Sequence, residues 1–144
     1  MYCLQAESSF DAAHFLKGYQ GKCKNIHGHR WRVVATICGE QLREGGSQAG
    51  MLTDFSDLKG ALKSLTDPLD HALLLEAGSL RPETKRALEL EEFRMVELPF
   101  RTTAENFSRY FYDQLTALGY HVREVRVYET PTNCASYVGS EEVR

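Results

Sequence analysis

The stretch from His27 to Gly39, HGHRWRVVATICG, constrains the fold more than any other part of the sequence. Its residues alternate as they do in a β-strand, which places on one face His27, His29, Trp31, Val33, Ala35 and Ile37. The apolar part of such a face needs another layer to cover it. The segment therefore predicts a strand of a half-covered sheet that carries two imidazoles at one end.

Three further segments are predicted to be strands: Tyr2–His14, His121–Thr130 and Asn133–Gly139, the last two pairing across Pro131. Together with the first strand they predict a four-stranded antiparallel sheet of two hairpins. A small sheet with helices on one face leaves its other face and both edges open. We therefore expect the chain to form a homo-oligomer.

The segments between the hairpins have helical periodicity. Asp54 is expected to cap a first helix, and Pro82 lies near the start of a short charged surface helix. Thr103 is expected to cap a third helix that Gly119 closes, with its buried side formed by Phe107, Phe111 and Leu118. The order of elements predicts one α+β domain over residues 1–144, with the helices on one face of the sheet.

Composition excludes several classes of function. The net charge is −3 and the basic residues are scattered, which argues against a nucleic-acid or membrane-surface partner. No apolar run is long enough to cross a bilayer, and the N-terminus lacks a signal-peptide pattern, so a cytoplasmic location is expected. The four cysteines are irregularly spaced and are therefore predicted to be free thiols: Cys3, Cys23, Cys38 and Cys134.

Three histidines are candidate metal ligands. His27 and His29 lie two apart on a predicted strand, so their side chains point the same way. His14 ends the first strand and reaches the same face if the two strands form a hairpin. Three imidazole nitrogens with a free fourth position are typical of a catalytic zinc site. Taken alone, the His-x-His pair is more often just a polar face.

Cys23 has two interpretations. If it binds the metal, it completes a tetrahedral structural site. If it stays free, it is a thiol beside a cation and between Lys22 and Lys24, a setting that favours the thiolate and makes it a usable base or nucleophile.

Two other places carry candidate chemistry. Asp70 precedes His71, and a carboxylate beside an imidazole is a common acid/base device, although a solvated Asp-His pair is more frequent. Glu129 ends a strand and is either an exposed carboxylate or a partner for an amino-pyrimidine edge.

Six pieces of the sequence, in this order, resemble the 6-pyruvoyl-tetrahydropterin synthase / 6-carboxy-tetrahydropterin synthase family: FDAAH, CKNIHGH, MLTDFSDLK, LDH, TAEN and YETPT. They extend from Phe10 to about Tyr137. The resemblance implies the tunnelling fold, a ββααββ unit whose sheets join into a barrel in a homo-oligomer, hexamer or tetramer. It also implies active sites at the subunit interfaces.

The resemblance also implies roles for individual residues. The family's zinc ligands match His14, His27 and His29, and its catalytic thiol, which is not a ligand, matches Cys23. The acid/base dyad matches Asp70 and His71. The glutamate that anchors the pterin ring matches Glu129, and near the same pocket lie Thr103 and Glu105.

Within the family, the interval of four between Cys23 and His27 is similar to the bacterial 6-carboxy branch, which serves queuosine and other deazapurines. That branch converts 7,8-dihydroneopterin triphosphate to 6-carboxytetrahydropterin with release of acetaldehyde and triphosphate. The alternatives are the 6-pyruvoyl branch, which eliminates triphosphate only, and a non-catalytic zinc-stabilised module. The sequence departs from the family in two places. Shortly after LDH the family often has an asparagine, whereas this chain reads ALLL, and the segment from Glu76 to Pro99 looks longer than usual.

Overall fold

A computed structural model of the chain describes residues 1–140. The predicted N-terminal hairpin is confirmed, with strands β1 (Tyr2–His14) and β2 (His27–Gly39). The two strands pair antiparallel along their whole length, from Tyr2 opposite Gly39 to His14 opposite His27. A loop with one short 3₁₀ turn, Lys22–Lys24, connects them. The hairpin thus ends with two histidines directly opposite each other.

The rest of the described chain contains three α-helices, a second 3₁₀ turn at Asp67–Leu69 and four more strands. In chain order the helices and strands are α1 (Phe55–Thr66), β3 (Ala72–Glu76), α2 (Pro82–Leu90), β4 (Met95–Leu98), α3 (Ala104–Ala117), β5 (Val122–Thr130) and β6 (Asn133–Val138). All three predicted helices and both predicted C-terminal strands are present. The α+β class is therefore confirmed.

The sheet is larger than the four antiparallel strands predicted. It has six strands in the order β4-β3-β1-β2-β5-β6, and β3 pairs parallel with both β1 and β4. Strand β3 has the sequence ALLLE, a continuous apolar run without alternation, which is typical of a strand buried on both faces. Because periodicity does not mark such short strands, the prediction of a purely antiparallel sheet was wrong on this side.

The core lies between the sheet and helices α1 and α3. From the sheet come Phe10, Trp31, Val33, Val125 and Val127, and from the helices come Leu58, Leu62, Phe107, Phe111 and Leu115, all at most 2% exposed. The rings of Phe10 and Trp31 stack with centroids 6.0 Å apart. The inner face predicted for β2 is therefore the face that is covered, and it continues into the histidines at the end of the strand.

The predicted helix caps are present. The Asp54 side chain accepts the Ser56 N–H, and the Thr103 hydroxyl accepts the Asn106 N–H. The prediction that Leu118 lines the buried side of α3 was wrong, since it is 55% exposed. The helix ends at Ala117, so the apolar stripe stops at Leu115 and Leu118 turns outward. None of the helices within residues 1–140 has the length and apolar content needed to cross a bilayer.

The expectation of four free thiols was wrong for two of them. Cys3 and Cys38 form a disulfide between β1 and β2. They are direct partners in the antiparallel register, with Cα atoms 4.1 Å apart, so their side chains meet on the same face. A sequence separation of 35 residues gives no sign of this pairing. Cys23 and Cys134 are free.

Candidate metal and active site

Three histidines converge at the end of the β1–β2 hairpin. One ring nitrogen from each of His14, His27 and His29 lies within 4.8 Å of the other two, a grouping that could hold a metal ion. The register explains the convergence, because His14 lies opposite His27 and His29 is the next residue on the same face. The prediction that His14 reaches the face of His27 and His29 through the hairpin is confirmed.

Hydrogen bonds orient two of the rings. Nδ1 of His14 lies 2.8 Å from the carbonyl oxygen of Thr102, and Nδ1 of His27 lies 2.7 Å from that of Asn25. A carbonyl oxygen can only accept, so Nδ1 carries the proton in both rings. In the neutral imidazoles Nε2 is then left with a free lone pair, which is the arrangement of a metal-binding histidine.

The other ring nitrogens have no hydrogen-bond partner in the described chain. Nε2 of His14, His27 and His29 is buried in each case. Buried polar atoms are nearly always satisfied, so three unsatisfied acceptors at one point need a ligand. A cation supplies what they lack, and three nitrogen donors of this kind suit zinc. The residues present therefore fit the metal that the sequence predicted.

Glu129 adds a carboxylate to the same point. Its Oε1 lies 3.3 Å from Nε2 of His14 and 3.4 Å from Nε2 of His29. Contact with the His14 ring lowers the pKa of Glu129 below its ordinary value, and burial only partly opposes this effect, so the carboxylate is ionised at neutral pH. Burial, with the charges of His14 and His27 adding to it and Glu129 opposing it, lowers the pKa of His29. A lowered pKa keeps the His29 ring neutral and available to a metal.

The backbone of β5 turns Glu129 inward. Val125, Val127 and Glu129 alternate along the strand, and the first two are fully buried in the core. The pairing of β5 with β6 shifts register between Tyr128 and Thr130. A bulge of this kind re-aims a side chain at a strand end and is common next to active sites. The carboxylate is thus delivered to the histidines rather than to solvent.

Asp70 and His71 lie in contact with each other. Nδ1 of His71 is 2.9 Å from Oδ2 of Asp70. Neighbouring residues rarely face each other, and here His71 adopts a positive φ of 55°, which brings the two side chains together. Oδ1 of Asp70 also accepts the Asp11 N–H at 2.8 Å, and that bond, followed by the one to His71, lowers the pKa of Asp70. The dyad is thereby attached to β1.

Two open clefts lie on either side of His29. One, of about 450 Å³, is lined by Glu129, Tyr128, Arg30 and Arg32. The other, of about 550 Å³, is lined by His71, Asp11, Phe93 and Arg94. Gly28 and His29 line both clefts. The start of β2 therefore lines both a cleft that holds the predicted pterin anchor and a cleft that holds one member of the dyad.

Cys23 lies in the 3₁₀ turn of the loop that precedes β2. It is half-buried and free, and its carbonyl oxygen accepts the Leu16 N–H. Its sulfur does not belong to the group of ring nitrogens that converge. The histidine cluster is therefore assembled without the thiol.

Thr103 and Glu105 lie at the start of α3. The Thr103 hydroxyl is engaged in capping, and Glu105 is exposed in the first turn. Neither residue lines the cleft that contains Glu129 among the residues described. The neighbouring Thr102 was not predicted, although it is buried and contacts His14 through both its carbonyl and its hydroxyl. Only its position directly before the TAEN piece could have pointed to it.

Comparisons with known proteins identify the family of the chain. A family model described as 6-pyruvoyl tetrahydropterin synthase matches residues 3–140. A 6-carboxy-5,6,7,8-tetrahydropterin synthase of Haemophilus influenzae is 37% identical over 141 residues, covering 95% of this chain and 99% of that protein. A protein of the same name from Synechocystis is 33% identical and covers 82% and 99%.

Solved structures share the fold. An uncharacterised protein of Wolinella succinogenes superposes with a TM-score of 0.76 at 20% identity, covering 96% of this chain and 98% of that one. The 6-pyruvoyl tetrahydropterin synthase of Plasmodium falciparum superposes with a TM-score of 0.69 at 24% identity, covering 94% and 96%. The family match over nearly the whole chain, the full-length relatives and the shared fold lead to one conclusion: the chain belongs to the 6-pyruvoyl tetrahydropterin synthase family.

Proposed function

We propose that the chain is a zinc-dependent 6-carboxy-5,6,7,8-tetrahydropterin synthase that acts on 7,8-dihydroneopterin triphosphate and serves queuosine or deazapurine synthesis. The observation that carries the proposal is the convergence of three buried imidazole nitrogens that form no hydrogen bond within residues 1–140. The same chain also has a free thiol at Cys23 and an Asp-His dyad in contact. The choice of the 6-carboxy product is supported by the names of the full-length relatives and by the Cys23–His27 interval.

His14, His27 and His29 would hold the zinc ion. When bound, zinc supplies Lewis-acid stabilisation of the negative charge that develops on the oxygens of the substrate side chain. The tautomers set by Thr102 and Asn25 keep two of the three nitrogens ready for it.

Glu129 would anchor the pterin by accepting charge-assisted hydrogen bonds from the amino-pyrimidine edge of the pterin ring. The residue lines an open cleft of suitable size while its Oε1 faces the histidines. The ring of the substrate would then lie in the cleft next to the three histidines.

Two groups would move protons. Cys23, as thiolate, accepts a proton from a carbon of the side chain. His71 exchanges protons at its Nε2 while Asp70 holds its Nδ1. Electrons released from the side chain reduce the ring, so no nicotinamide is needed, and the sequence has no glycine-rich dinucleotide loop. Loss of triphosphate and hydrolytic cleavage of the next carbon–carbon bond, which consumes one water, give the carboxylate and acetaldehyde.

An oligomer is part of the proposal. Strands β4 and β6 are the edges of the sheet, and within residues 1–140 each has a free hydrogen-bonding side. Open edges of this kind are commonly closed by another subunit. Pairing between copies through these edges would form the barrel that the resemblance implies.

Product identification tests the proposal. The zinc-loaded protein is incubated with 7,8-dihydroneopterin triphosphate, and the products are identified by mass spectrometry while acetaldehyde is measured enzymatically. We expect 6-carboxytetrahydropterin and acetaldehyde in equal amounts. A 6-pyruvoyl product without acetaldehyde would show the alternative reaction, and release of formate from GTP would show a cyclohydrolase. Absence of turnover with all of these would favour the non-catalytic module.

A further inference from the structure

A third cleft, of about 420 Å³, lies between the β1–β2 loop and the start of α2; we call it the α2 cleft. The residues that matter for its chemistry are Lys17, Lys24, Asn25, Ser79, Arg81 and Thr84. None of the catalytic or metal-binding residues assigned above lines it.

The charge of the α2 cleft is entirely positive. Lys17, Lys24 and Arg81 line it, and no carboxylate does. Within residues 1–140 none of these three cations forms an ion pair, whereas Lys85 on the same helix is paired with Glu97 at 3.0 Å. Unpaired cations around a concave surface attract an anion.

The N-terminus of α2 opens into the same cleft. The helix has nine residues, and Arg81 at its N-cap provides no side-chain cap. Proline at the first position has no N–H, so the free donors of the first turn are the backbone N–H groups of Glu83 and Thr84. Such a terminus favours phosphate through its free donors and its dipole.

Ser79 provides a second and independent sign of a ligand. The residue is only 8% exposed, it lines the α2 cleft, and its buried Oγ has no hydrogen-bond partner. A buried hydroxyl is normally satisfied, so this one is placed for something that enters the cleft. A phosphate oxygen accepts from a hydroxyl, from backbone N–H groups and from cations alike.

Several residues that line the α2 cleft are next in sequence to, or hydrogen-bonded with, residues of the candidate site. Phe15, which also lines it, follows His14, and Lys24 follows Cys23. The carbonyl of Asn25, another lining residue, accepts the Nδ1–H of His27. We propose that the α2 cleft is a polyphosphate-binding subsite that holds the triphosphate group of the substrate. The identity of that substrate rests on the proposed function, but the phosphate chemistry of the cleft does not.

Binding of inorganic triphosphate tests the subsite directly. Isothermal titration calorimetry is done on the zinc-loaded protein and on Arg81→Gln, Lys17→Gln and Ser79→Ala. We expect the two charge variants to bind triphosphate at least tenfold more weakly and Ser79→Ala several-fold more weakly. Arg86→Gln is the matched control, because Arg86 is exposed on the same helix and does not line the cleft. It should bind like the wild type, and all variants should keep their melting temperatures.

Kinetics then connect the subsite to the reaction. For Arg81→Gln we expect the KM for 7,8-dihydroneopterin triphosphate to rise about as much as the triphosphate affinity falls. Inhibition by 7,8-dihydroneopterin, which lacks phosphate, should not change. If the wild type does not bind triphosphate, or if all variants bind it equally, the inference is wrong even when turnover is normal. If the variants lose triphosphate but no pterin is turned over, the subsite stands and the proposed function fails.

Discussion

Oε1 of Glu129 lies 3.3 Å from Nε2 of His14, so the carboxylate that lines the cleft beside Tyr128 also faces the buried imidazole. This position is compatible with two different roles for Glu129. It can anchor the pterin from the cleft, or it can serve as a fourth metal ligand. The two tasks lead to opposite results when the charge of the residue is removed.

Glu129→Gln is expected to retain the metal and to bind the substrate more weakly. The amide cannot accept two charge-assisted hydrogen bonds, and losing them costs about 1.5–3 kcal/mol, or roughly tenfold to a hundredfold in kcat/KM. Metal content is measured by atomic absorption and kcat/KM by steady-state kinetics, with Glu40→Gln as an exposed control. Loss of the metal in Glu129→Gln would make the residue a ligand instead.

His29→Ala is expected to lose both metal and activity. A metal that binds only the folded state stabilises it, by about 2.7 kcal/mol when the free metal is a hundred times its Kd. Thermal unfolding should therefore depend on added zinc in the wild type and not in His29→Ala. His121→Ala is the matched control, since His121 is exposed and outside the cluster. If His29→Ala still binds one zinc ion with full affinity, the three-histidine site is wrong.

Cys23→Ala is expected to retain one zinc ion per chain and to lose turnover. The sulfur lies outside the converging nitrogens, so its removal should leave the metal affinity unchanged. Cys134→Ala, which removes the other free thiol, should keep full activity. Simultaneous loss of zinc and of the folded state in Cys23→Ala would support a structural site with a cysteine ligand.

The disulfide between Cys3 and Cys38 is expected to stabilise the fold without affecting the site. Thiol titration in denaturant should find two free thiols before reduction and four after it. Replacing both cysteines by alanine should lower the free energy of unfolding by about 2–4 kcal/mol. Zinc content should not change, because the bond joins the end of the hairpin away from the histidines. Four reactive thiols without reductant would contradict the bond.

Asp70 should make stability depend on pH in the acid range. Its folded pKa is lowered from 3.8, chiefly by the Asp11 N–H, so its contribution is present above 3.8 and is lost as the pH falls through the lowered value. Asp70→Asn should be less stable than the wild type at neutral pH, and the difference should shrink below pH 3.8. Unfolding is followed in the presence of a chelator, so that proton-linked metal loss does not contribute. A difference that grows toward acid pH would refute the assignment.

The sequence predicted the hairpin site well because one strand carried both the apolar face and the histidines. His27, His29 and Trp31 recur at every second residue, and this alternation can be recognised without knowing the structure of the loops. The caps Asp54 and Thr103 were also predictable, since each precedes a periodic helix.

Features that depend on tertiary pairing could not be predicted in the same way. Strands β3 and β4 are short and have no alternation, so only their parallel partners identify them. The Cys3–Cys38 bond follows from register, and the inward turn of Glu129 follows from a bulge. The role of Thr102 depends on α3 lying beside β1, which local sequence does not encode.

The backbone of Asp11 joins the dyad to the strand that carries His14, since its N–H is bonded to Asp70 and its carbonyl accepts the His71 N–H. Three residues further along the same strand is His14. Inserting or deleting a single residue between these two positions would turn His14 to the opposite face of the sheet while the dyad stayed behind. The segment FDAAH therefore fixes the distance and the relative orientation of Asp11 and His14. We expect natural variation in length in the β1–β2 loop but not within FDAAH.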